Sequence, residues 1–426
     1  MPESYLLSGT LITDGRARAD SVVAVAGGRI AYAGPRRGFN AANFGGAREL
    51  PVPPGGSILP GLVDLHCHGA AGGSFPTGDG GQCRAAVDFL HRSGTTTLLA
   101  SLVAAPAEEL VRGIQVLRTL ADDGLIAGLH AEGPFLSAAR CGAQNPEWLR
   151  HPDPALLRRL LHAAGGTLKT MTYAAELPGA AELVGLLTVT GVTPSLGHTD
   201  ADARTAAASL AGAAESLQAR SLRAAPAPGG PVPAPAGPPG TTGRRPTVTH
   251  LFNAMPPLHH RNPGPVAACL RLAAAGTVAV ELIGDGVHLD PETVGMVFDL
   301  VGADNVVLVT DSMAATGLPD GDYELGRSAV AVRGGVASLT STGALAGGTA
   351  TLLEVVRRTI AAGVAPADAV KAATLVPAGI LGLEDGTGRL MAGRRADVVT
   401  VDADFELVAV LRGGHLLAGP GARVRA

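Results

Sequence analysis

The chain has 426 residues, of which 46% are hydrophobic and 16% charged, and its formal net charge is −4. A mean hydropathy of +0.26 excludes a disordered chain, because a chain this apolar can bury a large core. The weak and evenly mixed charge offers no basic surface for nucleic acid. No apolar run approaches the roughly 20 residues of a membrane span. We therefore expect a soluble globular protein with neither a nucleic-acid nor a membrane partner.

The four cysteines are scattered and include no C-x-x-C pair; they are Cys67, Cys83, Cys141 and Cys269. This spacing indicates neither a disulfide framework nor a structural zinc site. The first residues also lack the basic and apolar regions of a secretory leader. We therefore expect the protein to work in a reducing cytoplasm.

Both ends of the chain predict short β-strands separated by turns. The predicted strands are 5–11, 21–26 and 29–33 within residues 1–58, and 397–402 and 407–412 within residues 386–426. Gly27-Gly28 is a hairpin signal between two of them. Since the two β segments flank a different texture, we predict one small β-sandwich domain built from both termini.

Residues 59–385 alternate between short β-rich runs and helical patterns. The predicted strands are 63–66, 95–101, 127–132, 168–174, 193–197, 247–251, 277–283 and 305–311, and the clearest helices are 85–92, 107–120, 155–164 and 349–362. This alternation is typical of repeated βα units and a parallel sheet. Eight strands are the number that closes a (β/α)8 TIM barrel, so the predicted fold class is α/β.

One segment interrupts this pattern. Residues 224–246 are rich in Pro, Gly and Ala and carry no periodic apolar face. Such a composition predicts a flexible insertion in the connection to the sixth strand. The alternative is a polyproline II ligand for a partner protein.

His66 and His68 stand two residues apart at the end of the first predicted barrel strand. Side chains at i and i+2 of a strand point to the same side, so both imidazoles can reach one metal ion. A bare His-x-His pair is a weak motif, and two ordinary polar residues at a strand end are the alternative.

Four further strand ends carry metal-ligand residues. Glu132 ends the third predicted strand, His198 the fifth, His250 the sixth and Asp311 the eighth. A closed barrel brings the carboxyl ends of its strands to one rim. Imidazole nitrogens and carboxylate oxygens are typical ligands of catalytic zinc or ferrous iron. We therefore predict that His66, His68, Glu132, His198 and His250 bind metal, although each residue alone could be a structural polar group.

These residue types predict metal-assisted hydrolysis, most plausibly of an amide. Two divalent ions bridged by Glu132 would lower the pKa of water to about 7 and polarise a carbonyl oxygen. Asp311, beside that water, can take its proton and deliver it to the leaving amine. We expect one or two divalent cations per chain, with zinc as the first candidate and iron, manganese or cobalt as alternatives.

Several motifs together resemble a known family. They are PGLVDLHCHG at 60–69, LHAEGPFL at 129–136, GAQNPE at 142–147, LGHTDA at 196–201, THLFNAMPPLHHRNPG at 249–264, GDGVHLD at 284–290, VTDSMAATG at 309–317 and LAGGTATL at 345–352. The chain resembles the N-acetylglucosamine-6-phosphate deacetylase family of the amidohydrolase superfamily nearly end to end. The resemblance implies the predicted fold and removal of the acetyl group from N-acetyl-D-glucosamine 6-phosphate, in amino-sugar catabolism or cell-wall recycling.

The resemblance also implies a set of substrate-binding residues and a homodimer. The residues it places around the substrate are Ala143, Gln144, Asn253, Ala254, Arg261, His288, Leu345, Ala346 and Gly347. Arg261 and His288 would bind the phosphate, which a planar guanidinium matches well. Part of the phosphate contact would come from the neighbouring subunit.

Two features differ within the family. Gln144 occupies a position where the family usually has histidine, which removes a cation but keeps hydrogen-bonding capacity. Some members also replace the His-x-His pair and keep a single ion, whereas this chain retains the pair. The number of ions and the identity of the sugar therefore stay open.

Three alternative functions remain. A deacetylase for the galactosamine epimer would have the same motifs. A ring-opening amidohydrolase of the dihydroorotase or hydantoinase type would need a carboxylated lysine at the end of the fourth strand, but Lys169 lies at the beginning of that strand. A non-catalytic sugar-phosphate binding protein would have little reason to keep the complete ligand set. Away from the strand ends, we interpret the other histidines as ordinary polar residues, with His130 as a neighbour of Glu132 and not a ligand.

Overall fold

The computed structural model describes residues 4–77, 79–224 and 244–419. Its strands are β1 (Tyr5–Thr13), β2 (Arg16–Ala26), β3 (Arg29–Pro35), β4 (Arg48–Leu50), β5 (Ser57–Pro60), β6 (Leu62–Cys67), β7 (Gly69–Ala70), β8 (Gly73–Ser74), β9 (Thr95–Leu102), β10 (Gly128–Glu132), β11 (Leu168–Tyr173), β12 (Thr193–Leu196), β13 (Thr247–Val248), β14 (Ala279–Leu282), β15 (Val306–Leu308), β16 (Gly321–Leu325), β17 (Ser328–Arg333), β18 (Val336–Leu339), β19 (Val398–Val401), β20 (Leu407–Arg412) and β21 (His415–Ala418). The predicted insertion, apart from its ends at 224 and 244–246, lies outside the described residues.

Ten α-helices lie in the described part of the chain. They are α1 (Gly80–Arg92), α2 (Ala107–Asp122), α3 (Pro154–Ala164), α4 (Ala180–Thr190), α5 (Ala203–Ala224), α6 (Gly264–Ala274), α7 (Pro291–Val301), α8 (Leu352–Ala361), α9 (Pro366–Ala372) and α10 (Leu375–Leu381). Across these residues, no helix has both the length and the apolar character needed to cross a bilayer.

Eight parallel strands form the barrel, in the order β6-β9-β10-β11-β12-β13-β14-β15. The first and last strands meet through two backbone hydrogen bonds: Asp311 N–H donates to the His66 carbonyl at 2.9 Å, and His68 N–H donates to the Ser312 carbonyl at 2.7 Å. The seam thus joins two of the predicted site segments directly. The prediction of a (β/α)8 barrel is confirmed, and all eight predicted strands are present.

The two termini build a separate eight-stranded sheet. The N-terminal strands β1, β2 and β3 form an antiparallel meander, and β5 pairs in parallel with β1 and antiparallel with the C-terminal strand β19. This sheet has its own apolar core, in which Leu7, Val23 and Ile58 pack with Val398 and Leu411. The predicted domain made from both chain ends is confirmed, and its strand β5 ends at Pro60.

A three-stranded antiparallel sheet, β16-β17-β18, follows the last barrel strand and is absent from the sequence prediction. Its inner side chains Val330 and Val332 pack on Met313 and on Leu325. A hairpin signal, Gly334-Gly335, does stand between β17 and β18, and both glycines have positive φ. The alternating pattern of β17 could therefore have revealed this sheet.

The barrel is closed by apolar side chains at the N-terminal ends of its strands. Val63 N–H donates to the carbonyl of Ala373, just before α10, and Val63 packs with Val376 and Ile380 of that helix. The strand ends that carry histidine and carboxylate side chains lie at the opposite rim. This separation is the usual one in barrel enzymes, where the carboxyl ends of the strands carry the chemistry.

Candidate metal centre

Six side chains from five strand ends converge as two clusters of three. The first cluster contains His66, His68 and Asp311. The two imidazole Nε2 atoms lie 3.0 Å apart, and Asp311 Oδ1 is 3.3 Å from His66 Nε2 and 3.2 Å from His68 Nε2. The prediction that the His-x-His pair points to one side is therefore met in the structure.

The second cluster contains Glu132, His198 and His250. Glu132 Oε1 lies 2.9 Å from the Nε2 atom of each histidine, and the two Nε2 atoms are 3.2 Å apart. All three side chains are buried. Three potential ligand atoms thus meet at one point in a shielded environment.

Glu132 faces both clusters with different oxygens. Its Oε1, besides contacting the second cluster, is 3.7 Å from His66 Nε2. Its Oε2 is 3.4 Å from His68 Nε2. The carboxylate therefore lies where a ligand shared between two cations would lie.

Three of these residues have unusual backbone conformations. The φ angles of His198, His250 and Asp311 are +49°, +29° and +49°. Side chains other than glycine rarely adopt this left-handed region, and such residues persist only where the surroundings hold them. Here backbone hydrogen bonds at these positions, such as Ser137 N–H to the His198 carbonyl at 3.0 Å, hold the loops that aim the side chains inward.

Hydrogen bonds to the Nδ1 atoms of the histidines determine which ring nitrogen carries the proton. His68 Nδ1 lies 3.2 Å from the Ser101 carbonyl, and His198 Nδ1 lies 2.9 Å from the Arg140 carbonyl. A carbonyl can only accept, so each Nδ1 carries the proton. In the neutral imidazole, each Nε2 therefore presents its lone pair to the cluster, as a metal-ligating histidine must.

The electrostatics of the clusters favour bound positive charge. Burial alone would lower the pKa of His66, but Asp311 and Glu132 raise it well above its usual value. Burial would raise the pKa of Asp311, yet His66 and His68 lower it to about 2. A site that stabilises imidazolium this strongly, and whose neutral imidazoles have converging lone pairs, fits a divalent cation.

A shell of polar side chains behind the clusters was not predicted as functional. Burial raises the pKa of Asp64 to about 6, and its Oδ2 accepts a 2.6 Å hydrogen bond from the Thr310 hydroxyl. Glu281 Oε2 is 3.4 Å from His66 Nδ1. His130 stacks edge-on against His66 with ring centroids 4.5 Å apart and belongs to neither cluster, as expected. Only the alternation of side chains along β14 could have placed Glu281 inside the barrel.

The clusters open into a cavity of about 230 Å³. The sequence-predicted residues that line it are His68, Glu132, Ala143, Gln144, His198, His250, Asn253, Ala254, His288, Asp311, Leu345 and Gly347. The sheet that sequence analysis missed adds Leu325, and the loop after it adds Ala344. Two predicted substrate residues do not line the cavity: Ala346 is buried in the apolar cluster below, and Arg261 is exposed on its loop.

His288 is held in place by Asp285, a partner that the sequence did not indicate. Asp285 Oδ1 accepts the backbone N–H groups of Val287 and His288, and its Oδ2 lies 2.9 Å from His288 Nδ1. Burial would lower the pKa of His288, but Asp285 raises it. The imidazole is thus an anchored group with cationic character at the cavity wall, suited to an anion such as phosphate.

Gly347 lies where a side chain could not. Its φ is +82°, and a Cβ atom there would stand 2.8 Å from the carbonyl oxygen of Asp311. The neighbouring Gly348 N–H donates to that same oxygen at 2.7 Å. The glycine pair therefore lets the segment approach the backbone of Asp311 and form the cavity wall.

Lys169 lies at the beginning of its strand and belongs to neither cluster. Its Nζ donates to the carbonyl of Gly166 at 3.0 Å, at the beginning of β11. Glu132 already lies between the two clusters. A carboxylated-lysine bridge, as in the ring-opening alternative, therefore has no support.

The chain is similar to known amidohydrolases that are named as deacetylases of amino-sugar phosphates. A model described as the amidohydrolase family matches residues 241–417. The chain is 31% identical over 439 residues to N-acetylglucosamine-6-phosphate deacetylase of Bacillus subtilis (strain 168), which covers 98% of each chain. It is 29% identical over 364 residues to N-acetylgalactosamine-6-phosphate deacetylase of Escherichia coli O157:H7, covering 84% of this chain and 87% of that protein.

A solved structure is similar over the whole chain. It is N-acetyl-D-glucosamine-6-phosphate deacetylase from Mycobacterium smegmatis, a mutant in complex with N-acetyl-D-glucosamine-6-phosphate. The TM-score is 0.83 at 34% sequence identity, covering 98% of this chain and 100% of that one. The similarity therefore extends over both the barrel and the terminal sheet.

Proposed function

Since the chain belongs to the N-acetylglucosamine-6-phosphate deacetylase family of amidohydrolases, we propose that it hydrolyses N-acetyl-D-glucosamine 6-phosphate to D-glucosamine 6-phosphate and acetate. The observation that carries the proposal is the pair of clusters with Glu132 lying between them, beside the cavity. Donor atoms of this kind, close together and buried, are those of metal-dependent hydrolases.

A divalent cation held by these side chains would supply Lewis acidity, which polarises the amide carbonyl and lowers the pKa of water. His198, His250 and Glu132 would hold one cation, and His66, His68 and Asp311 a second. Zinc is the proposed metal because imidazole and carboxylate ligands suit it, with iron, manganese and cobalt as alternatives.

Asp311 is the proposed acid–base group. With a pKa of about 2 it is a carboxylate at neutral pH. Its Oδ1 faces the two imidazoles, which leaves Oδ2 to accept the proton of the attacking water. The same oxygen then delivers that proton to the leaving nitrogen as the C–N bond breaks, so that amine and acetate are released.

The polar residues around the cavity wall are proposed to bind the sugar phosphate. His288, with its pKa raised by Asp285, would pair with the phosphate. The Asn253 side-chain amide, which donates to the His250 carbonyl at 3.2 Å, and the backbone of Ala254 would add hydrogen bonds. Leu345, an apolar side chain that lines the cavity, would lie against the acetyl methyl group.

A homodimer is proposed because Arg261 does not line the cavity of its own chain. Its loop is exposed, so its guanidinium is free to enter the site of a second copy. Such contact would cover two exposed apolar side chains, Leu258, which is close to Arg261 in sequence, and Val287, which precedes His288.

The proposed location is the cytoplasm. All four cysteines are free, and three of them are buried. Unpaired buried thiols fit a reducing compartment.

The deciding experiment is an acetate-release assay. Purified protein would be stripped with a chelator, reloaded with zinc, iron, manganese or cobalt, and incubated with the glucosamine or the galactosamine substrate. We expect metal-dependent release of acetate and free amine in equal amounts, with the glucosamine epimer preferred. Absence of acetate with every metal and both epimers would contradict a deacetylase, and preference for galactosamine would instead favour the epimer.

A further inference from the structure

The side chain of Gln144 bridges two fixed points at the metal centre. Its Oε1 accepts the backbone N–H of Ala104 at 2.8 Å, and its Nε2 donates to Glu132 Oε2 at 2.6 Å. The residue is only 6% exposed. Since a backbone N–H can only donate and a carboxylate can only accept, the orientation of the amide is unambiguous.

This bridge ties two neighbouring strand ends together. Ala104 follows β9 and Glu132 ends β10, while Gln144 lies in the loop after β10. A turn hydrogen bond from Gln144 N–H to the Cys141 carbonyl at 2.9 Å holds the loop itself. The amide therefore fixes one oxygen of the Glu132 carboxylate relative to the backbone of Ala104.

We propose that Gln144 is a positioning residue that orients Glu132 between the two clusters. Given the function proposed above, on which this inference depends, the amide keeps Oε1 on His198 and His250 and turns Oε2 toward His68. It also places one donor on Oε2, so this oxygen has less charge to offer a second cation than Oε1 has for the first. A cation held by His198, His250 and Glu132 would accordingly be bound more tightly than one held by His66, His68 and Asp311.

The chemistry of glutamine makes this positioning independent of pH. The histidine that the family usually has here could make both contacts only as one neutral tautomer, accepting from Ala104 and donating to Glu132. As imidazolium it would have no acceptor for the Ala104 N–H. An amide neither gains nor loses a proton over the working pH range, so the two hydrogen bonds of Gln144 do not depend on its own protonation.

The test is cation binding by the metal-free protein. Zinc would be titrated against a competing chelator at pH 6 and pH 8 for wild type, Gln144→Leu, Gln144→Asn and Gln144→His. Removing a residue that orients a metal ligand typically costs 10–100-fold in metal affinity. We expect about that loss of affinity for the tight cation in Gln144→Leu, and in Gln144→Asn, whose shorter side chain cannot span both partners.

The histidine variant should regain zinc affinity at one pH only, which a purely structural role of Gln144 would not produce. We expect Gln144→His to bind zinc within about threefold of wild type at pH 8 and to approach the leucine variant at pH 6, because protonation abolishes one of its two contacts. Gln115→Leu, the same change at an exposed position of α2, is the control and should bind zinc as wild type does. Melting curves with excess chelator would show whether each variant folds. If Gln144→Leu does not fold, the zinc affinity of Gln144→Asn tests the inference.

Two outcomes would overturn the inference. One is unchanged zinc affinity in the leucine and asparagine variants with a raised KM for substrate, which would make Gln144 a sugar contact. The other is an equal loss of affinity in the histidine variant at both pH values. Because zinc binding is measured without substrate, a protein that binds zinc as expected but releases no acetate would contradict only the proposed function.

Discussion

At the scale of single residues, the site combines ordinary side chains in unusual surroundings. Asp311 is held at positive φ, its backbone N–H donates to His66 across the barrel seam, and its Oδ1 faces two imidazoles. The two imidazoles keep this partly buried carboxylate ionised. The residue is therefore prepared to act as a base at neutral pH.

We predict that Asp311→Asn lowers kcat for acetate release by about 10²–10⁴-fold, the range for loss of a general acid–base group. The amide has almost the same shape, but it cannot accept the proton of water. The measurement is steady-state kinetics with saturating zinc, together with zinc content. Asp299→Asn, at an exposed position of α7, is the control. Turnover near the wild-type rate would remove Asp311 from the proton-transfer role.

At the scale of secondary-structure elements, the seam between β6 and β15 connects stability to the site. Besides two backbone hydrogen bonds, it has the buried contact between the Thr310 hydroxyl and Asp64. Asp64 is completely buried, and its pKa is raised to about 6 by that burial. The hydroxyl of Thr310 therefore offsets part of the free-energy cost of burying the Asp64 carboxyl beneath His66 and Asp311.

We predict that Thr310→Val destabilises the metal-free protein by about 1–3 kcal/mol, because the buried carboxyl of Asp64 loses a donor. Thr310→Ser keeps the hydroxyl and should be close to wild type. The measurement is the urea midpoint of both variants in the presence of chelator at pH 7.5. Equal midpoints for valine and serine would mean that the seam does not depend on this hydrogen bond.

At the scale of the whole molecule, most of the predicted substrate residues line the cavity of their own chain, but Arg261 does not. A charge-assisted hydrogen bond to phosphate contributes about 1.5–3 kcal/mol. A site without Arg261 would lack this contribution to substrate binding. A second subunit that supplies this arginine would complete both sites of a symmetric dimer.

We predict that Arg261→Ala and Asp311→Asn complement each other in mixed dimers. Alone, Arg261→Ala should raise KM about 10–100-fold, the equivalent of one charged hydrogen bond, and Asp311→Asn should lose turnover. Co-expressed with different tags and purified through both, the pair should regain one intact site per dimer, with wild-type KM and about half the wild-type rate.

Two results would contradict this arrangement. Doubly tagged protein with only the raised KM of Arg261→Ala would place the arginine in the site of its own chain. Failure to recover any doubly tagged protein, with a single-chain mass in light scattering, would exclude the dimer.

The sequence alone determined those features that follow from local patterns. The alternation of β and helical segments predicted the barrel, because the period of side-chain burial is encoded over a few residues. Five candidate ligands were identifiable because each lies at or just after the end of an apolar strand: His66, His68, Glu132, His198 and His250. The His-x-His geometry followed from the two-residue period of a strand.

Only the tertiary structure decided which side chains act on these residues. Gln144 and Ala104 are 40 residues apart, and Thr310 and Asp64 are 246 apart, so no local pattern links them. The exposed position of Arg261 was likewise beyond reach of the sequence motifs. Hydrogen bonds that orient a ligand depend on distances of tenths of an ångström between distant segments, and these distances exist only once the barrel has closed.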